Sequence, residues 1–349
     1  MRLMFDPEPP VGRWCRETAA GRAAWGSGGA AAAARALQAG AVESVSYRLR
    51  HGGELLRVPV SRATPAVLAA AQEAVRYSPE RNGLTVAALR ELQGRFPGVE
   101  HLLLCDTAFF WGLPAEASGY AVPAELRRRG VRRYGGDGLL HQWAAVRAGQ
   151  LFGPAAQRVI SVRLGDRSNT AALAAGRPVD TTMGFTPVEG LLSDTCCGDM
   201  DSSVVFELQS SGLALREINE LLSERSGFRA LVGRRCGYAE LLSAIGGGAA
   251  MARRILRYEV VKSVGACAAL LGGVDAVLFS ADDPPASGRF IRAVCRDLTC
   301  LGLRLGPPRS RPQDGEVLSA AGSEVKAAVL KHDIWRVMSC LTRSAVKEV

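Results

Sequence analysis

Lysine is scarce in this chain. There are four, Lys262, Lys326, Lys331 and Lys347, so the first 261 residues offer no ammonium group to hold a phosphate. The formal charge of +9 therefore comes almost wholly from arginine. The arginines are scattered, with no interleaving of aromatic and basic residues. The longest basic run, Arg127-Arg128-Arg129, stops at Gly130 and reads as a solvated helix end. A specific nucleic-acid surface is not expected. No C-x-x-C pair occurs among the nine cysteines, which argues against a zinc ribbon or a thioredoxin-type centre. Their odd number and irregular spacing fit reduced thiols in a cytoplasmic protein. No secretory signal stands out, and the alanine-rich run near residue 30 is too short and too closely flanked by arginine to span a bilayer. No internal repeat is visible.

What is present is ordinary for a globular protein: 48% hydrophobic and 22% charged residues over 349 positions, enough for two domains. Residues 1–28, with Pro7, Pro9 and Pro10, read as irregular. Alanine content predicts a helix from Gly29 to Gln38. Ser44 to Arg50 alternates as a strand does, and His51-Gly52-Gly53 turns the chain. Thr64 to Tyr77 carries a helix start signal, with Thr64 as N-cap and Pro65 at the first position. Val99 to Cys105 reads as a buried strand ending at Asp106. A hairpin is expected from Val159–Leu164 and Thr170–Leu173 around Gly165-Asp166. Ala249 to Leu271 reads as a long helix whose packed face carries Met251, Ile255, Tyr258, Val261, Gly265, Ala268 and Leu271. Ala276 to Phe279 reads as a strand, Arg309 to Gly315 as a polar turn, Val325 to Leu330 as a strand and Ile334 to Thr342 as a helix. Strands alternating with helices indicate an α/β fold.

Six segments, in order, resemble motifs of one family. Tyr47-Arg48-Leu49-Arg50-His51-Gly52-Gly53-Glu54 is similar to "HRVVHGGE", and Cys105-Asp106-Thr107-Ala108-Phe109-Phe110 to "FDTAFH". Tyr120-Ala121-Val122-Pro123 resembles "YALP", and the run from Val131 to Gly138 resembles "VRKYGFHG". Residues 181–190, Thr-Thr-Met-Gly-Phe-Thr-Pro-Val-Glu-Gly, resemble "TSMGFTPLEG", and residues 275–279 resemble "DAVVF". These are motifs of the acetate and propionate kinases. The resemblance implies two ribonuclease H-like α/β domains of the sugar kinase and actin-like ATPase superfamily, with the site in the cleft between them. The expected division is 1–110, completed by 333–349, and 111–332. The opening Asp6-Pro7-Glu8 is similar to a slightly later family segment, so the first domain is expected to lack the family's first strand and its "NCGSSSLK" motif.

The family reaction moves the γ-phosphoryl group of ATP to acetate or propionate, with Mg2+. It requires fixed positive groups and donors aimed at the developing charge. The resemblance implies that Arg48 and Asn82 bind substrate and that Asp106 is catalytic. Elsewhere the pattern departs. The family histidine of "YGFHG" is Asp137, and the arginine of "GTRCG" is Cys196. The phosphate-binding "HLGNG" is Arg163-Leu164-Gly165-Asp166-Arg167, and the nucleotide-side "GIGEN" is Asp282-Asp283-Pro284-Pro285-Ala286. "DFR" aligns with Gly237-Tyr238-Ala239, and the metal-associated glutamate of "PTNEEL" with Ile334, which ligates nothing. Losing one preorganised donor costs about 3 kcal/mol of transition-state stabilisation. Arg81, Arg163 and Arg167 are basic substitutions that could line the same cleft and bind an anion. The expectation is thus a cytoplasmic homodimer of acetate kinase ancestry that serves as a pseudokinase-like or anion-binding scaffold without cofactor. The alternative is an active acetate or propionate kinase using Mg2+, ATP and a small carboxylate at a reorganised, arginine-rich site.

Overall fold

A computed structural model describes residues 1–18, 21–38, 42–308 and 312–347. In chain order the elements begin with strands β1 (Arg2–Asp6), β2 (Arg13–Thr18) and β3 (Gly21–Ser27), helix α1 (Ala30–Gln38) and β4 (Ser44–Leu49). Next come β5 (Val60–Arg62), α2 (Pro65–Glu73), α3 (Pro79–Arg95) and β6 (Glu100–Cys105). Short helices α4 (Ala115–Ser118) and α5 (Ala124–Arg128) lead to α6 (Gly138–Phe152) and to β7 (Arg158–Leu164), β8 (Asn169–Ala174) and β9 (Arg177–Thr181). Helices α7 (Ser203–Ser210), α8 (Leu215–Glu224), α9 (Gly227–Val232), α10 (Tyr238–Ser243) and α11 (Gly247–Leu270) follow. The chain continues through β10 (Ala276–Ala281), α12 (Pro284–Asp297), β11 (Glu316–Val317), β12 (Lys326–Lys331) and α13 (Ile334–Lys347).

Two units emerge from the contacts. One holds residues 1–111, 136–140 and 333–349; the other holds 112–135 and 141–332. Each is built on a six-stranded sheet, ordered β3-β2-β1-β4-β6-β5 in the first and β11-β12-β10-β7-β8-β9 in the second. Read in chain order, the plans coincide. An antiparallel meander (β1 to β3, or β7 to β9) extends from one side of its first strand, and parallel strands add on the other. A short antiparallel strand, β5 or β11, closes the edge. These are two α/β domains of ribonuclease H-like design, repeated in structure although no sequence repeat is visible.

Parallel strands lie between helices and are apolar on both faces. Accordingly β4, β10 and most of β7 are buried along their length. Leu3, Phe5, Val45, Tyr47, Leu89 and Leu103 form the first core, and Ile160, Val162, Leu256, Val277, Phe279 and Val329 lie in the second.

Four expectations are corrected. The described residues among 1–28 form three strands, and the sheet does not open without a leading strand. Arg2–Asp6 pairs with β2 on one side and β4 on the other, so both of its ladder edges are filled. The prolines that suggested irregularity sit in the β1–β2 turn. On α11 the buried positions are Ala249, Ala252, Leu256, Val260, Ser263, Val264, Cys267 and Ala268, whereas Met251 and Tyr258 are exposed. Small residues let the helix approach its neighbours, and that moved the packed stripe to a face that size alone did not mark. Residues 136–140 cluster with the first unit rather than with the second. The polar turn expected over 309–315 lies partly outside the described residues.

Candidate functional site

The three parallel strands of the first sheet end side by side. Register aligns Phe5 with Tyr47 and Leu49 with Cys105, so Asp6, Arg48, Arg50 and Asp106 share one edge. In open α/β sheets this carboxyl edge is where ligands gather. Arg48 is almost wholly buried, at 1% exposure. Its Nε and Nη2 lie 3.0 and 2.9 Å from Asp106 Oδ2, Nη1 donates to Asp6 Oδ1 at 3.4 Å, and Nη2 donates to Asp137 Oδ1 at 3.0 Å. Arg50 donates to Asp137 Oδ1 at 3.1 Å, to Asp106 Oδ2 at 3.4 Å and to Glu8. Arg13 closes the outer side on Asp6 at 2.8 Å.

Asp137 reaches this edge because the chain returns there. Gly138 is packed so tightly that a Cβ would lie 2.0 Å from the Asp106 carbonyl oxygen. Leu139 N donates to Asp106 Oδ1 at 3.4 Å. Asp137 itself takes a φ of 51°, in the left-handed region.

Three arginines (Arg13, Arg48, Arg50) thus meet four carboxylates (Asp6, Glu8, Asp106, Asp137). Burial and these neighbours set the titration directions. Burial alone would push both Asp6 and Asp106 up. For Asp6 the guanidiniums of Arg48, Arg50 and Arg13 overcome it, and its pKa falls to about 2. For Asp106 burial prevails over Arg48 and Arg50, Asp137 adds repulsion, and the carboxyl is held above its ordinary value. Burial opposes the Arg50 charge, yet Asp6, Glu8, Asp106 and Asp137 raise its pKa on balance.

Asn82 is fully buried on α3 and spends its amide on the backbone. Its Oδ1 accepts from Arg50 N at 3.1 Å and His51 N at 3.3 Å, while Nδ2 donates to the carbonyls of His51 and Ala74 at 2.8 and 2.9 Å. It therefore holds the turn after β4 in place. Arg81 is its half-buried neighbour on α3. Cys196 is buried, and its Sγ donates to the Ser223 carbonyl at 3.4 Å.

The second sheet presents the equivalent edge. Leu164 pairs with Ala281, which brings Arg163, Gly165, Asp166 and Arg167 beside Asp282 and Asp283. Arg163 folds back over Gly165, where a Cβ would meet its Nη1 at 1.8 Å. Asp282 lies 4.0 Å from Arg163 Nη2 and 3.0 Å from His332 Nδ1. The other two aspartates are helix caps. Asp166 Oδ1 accepts from Tyr238 N at 2.7 Å, at the start of α10, and Asp283 Oδ1 accepts from Ala286 N at 3.1 Å, at the start of α12. Arg167 contributes its carbonyl to Asn169 Nδ2 at 3.2 Å.

Comparison with known proteins agrees with this architecture. Residues 32–337 match the acetokinase family. The chain belongs to that family. The acetate kinase of Gloeobacter violaceus is 34% identical over 298 residues, 83% of this chain and 73% of that protein. The acetate kinase of Bacteroides thetaiotaomicron is 33% identical over 84% of this chain and 75% of its own length. Among solved structures, Porphyromonas gingivalis acetate kinase superposes with a TM-score of 0.84 at 25% identity, covering 99% of each chain. Entamoeba histolytica acetate kinase reaches 0.90 at 17% identity over 98% of each chain, a likeness of fold.

An acetokinase implies a magnesium nucleotide, and the residues present do not fit one. The oxygens of Asp6, Asp106 and Asp137 face guanidiniums. On the second sheet, the N-terminus of α12 opens with Pro284 and Pro285, which have no N–H, and its next donor is taken by Asp283. Sequence reasoning found Arg48, Asp106 and Asp137 but missed Asp6, Glu8, Arg13 and Arg50. Arg50 stood inside a quoted motif. A charged residue closing each of three apolar strands was the signal available for it and for Asp6.

Proposed function

We propose that this chain is an acetokinase-family protein that no longer performs acetate phosphorylation and serves as a pseudokinase-like scaffold. The observation that carries this reading is the state of Arg48. A guanidinium suited to grip a substrate carboxylate is buried against Asp6, Asp106 and Asp137 of its own chain. By the family resemblance, Asp137 stands in place of a histidine, an anion instead of a donor toward the transferring phosphoryl group. The lack of backbone donors at Pro284 and Pro285 adds to this from the second sheet.

Identity to acetate kinases over most of the chain favours the rival reading, an active acetate or propionate kinase using ATP and Mg2+ at an arginine-rich site. Hydroxamate trapping of acetyl phosphate separates the two. The expected result is no product above the protein-free control with ATP, Mg2+ and acetate. Product that disappears on Arg48→Ala would establish the rival. We further propose a cytoplasmic homodimer. Phe206 and Leu215 of the second unit are exposed apolar side chains suited to cover by another copy. A monomer mass by light scattering at micromolar concentration would remove that part of the proposal.

A further inference from the structure

We propose that Asp137 is a built-in occupant of a carboxylate seat formed by Arg48 and Arg50, and that its side chain keeps small monocarboxylates out of that seat. Two guanidiniums converge on a single oxygen, with Arg48 Nη2 at 3.0 Å and Arg50 Nη1 at 3.1 Å from Asp137 Oδ1. Each contact is a charge-assisted hydrogen bond, stronger than one between neutral groups. The other buried carboxylates arrive differently. Asp6 closes β1 and Asp106 follows β6, so the sheet itself carries them to Arg48. Asp137 comes from a turn, Gly135-Gly136-Asp137-Gly138, and depends on no strand.

That turn does not need an aspartate for its backbone. Asp137 sits at φ 51° and Gly135 at φ 72°, a region that glycine enters without steric cost and other L-residues rarely enter. Leu140 N donates to the main-chain carbonyl of Asp137 at 2.9 Å, a bond any residue could accept. Gly138, packed against the Asp106 carbonyl, anchors the following residue. Glycine would hold this backbone at least as readily as aspartate, so the conformation does not require the carboxylate. Its function is to fill the Arg48–Arg50 seat.

The chemistry supplies a direct test. Replacing Asp137 with glycine deletes a carboxymethyl group, and acetate is that group with one hydrogen added. The Asp137→Gly chain should therefore hold a cavity matched to acetate in both shape and charge. Formate fits without filling it, and chloride lacks the paired oxygens. This inference rests on the reading of Arg48 as closed to external substrate, and it fails separately from that reading.

Thermal melts of the wild-type chain, Asp137→Gly and Asp137→Asn are compared in sodium acetate, formate and chloride at matched pH and ionic strength. Asp137→Gly should melt below wild type in chloride. Acetate should raise it by about 4 °C or more at saturation, through binding linkage, with formate giving a smaller rise. Wild type should melt alike in acetate and chloride. Asp137→Asn fills the cavity without the charge and should be equally indifferent. A glycine variant that does not distinguish acetate from chloride overturns the seat while leaving the absence of turnover untouched. An asparagine variant that responds as the glycine variant does places the acetate elsewhere and overturns it too. A wild-type response as large as the variant's overturns both this inference and the closure of Arg48. Should Asp137→Gly not accumulate in folded form, refolding from denaturant in the two salts gives the same readout. Recovery in acetate alone supports the proposal, and equal recovery or equal failure counts against it.

Discussion

At the scale of single residues, the charges at the first sheet edge are held by one another. Removing one partner of a buried ion pair leaves its neighbours uncompensated and typically costs about 3–5 kcal/mol. Arg48→Ala, which strands Asp6, Asp106 and Asp137 together, is expected at the upper end of that range, measured by urea denaturation. A loss below about 1 kcal/mol would show that water reaches the cluster and screens it. The acid response carries two opposite signs. Asp6 has a folded pKa of about 2, below the ordinary carboxylate value, so its stabilisation is present above about pH 4 and is lost as pH falls toward 2. Asp106 is displaced upward, so the folded chain binds its proton more tightly than the unfolded chain does. Its contribution is complete below pH 3.8 and declines as pH rises through the raised folded value. Asp106→Asn should therefore flatten the decline in stability toward neutral pH and leave the acid limb intact. Stability curves against pH for the two chains read this directly, and parallel curves would refute it. Arg48 and Asp106 were legible in the sequence because each lies in a motif beside an apolar strand. Asp6, a partner of Arg48, and Glu8, a partner of Arg50, were not, because pairing across 42 residues of chain leaves no local pattern.

At the scale of elements, the same residue type serves different ends according to where a strand stops. On the second sheet the carboxylates mostly terminate helices. Asp283 caps α12 through Ala286 N, and the hydroxyl of Ser287 donates back to the Asp283 carbonyl at 2.8 Å. Asp283→Ala should cost about 1 kcal/mol, the usual value of an N-cap, and lower the melting temperature by about 2–4 °C. It should not create nucleotide affinity, since Pro284 and Pro285 still offer no N–H. A melting temperature that rises on adding magnesium-ATP to this variant would mean that the cap was what excluded the phosphate. Most elements were legible because their signals were local. The Thr64–Pro65 start marks α2, apolar runs mark β6 and β10, and the Gly165-Asp166 turn joins the antiparallel pair β7 and β8. The first three strands were not legible. In β2, Arg13, Arg16 and Glu17 break the apolar alternation, and the turn before it is rich in proline. Pairing with β1 and β3 made the strand where local preference did not.

At the scale of the whole molecule, one sheet plan occurs twice, and the first copy is completed by the last helix of the chain. Ile334, Val337, Met338 and Thr342 of α13 are buried on one stripe at helical spacing, and the helix packs on β1, β4 and β5. Ser339 Oγ donates to Glu17 at 2.6 Å, and Arg13 lies 5.8 Å from the Trp335 ring centroid. Burying three large apolar side chains contributes about 1.5–3 kcal/mol each, comparable to the net stability of a domain. A chain ending at His332 should therefore lose amide protection in β1 and β4, on which α13 packs, while β7 and β10 of the second sheet keep theirs. Hydrogen exchange read by mass spectrometry resolves the two sheets. Unchanged protection in β1 and β4 would mean that the helix adds nothing to the first core. Equal loss in both sheets would mean that the two units open as a single cooperative body.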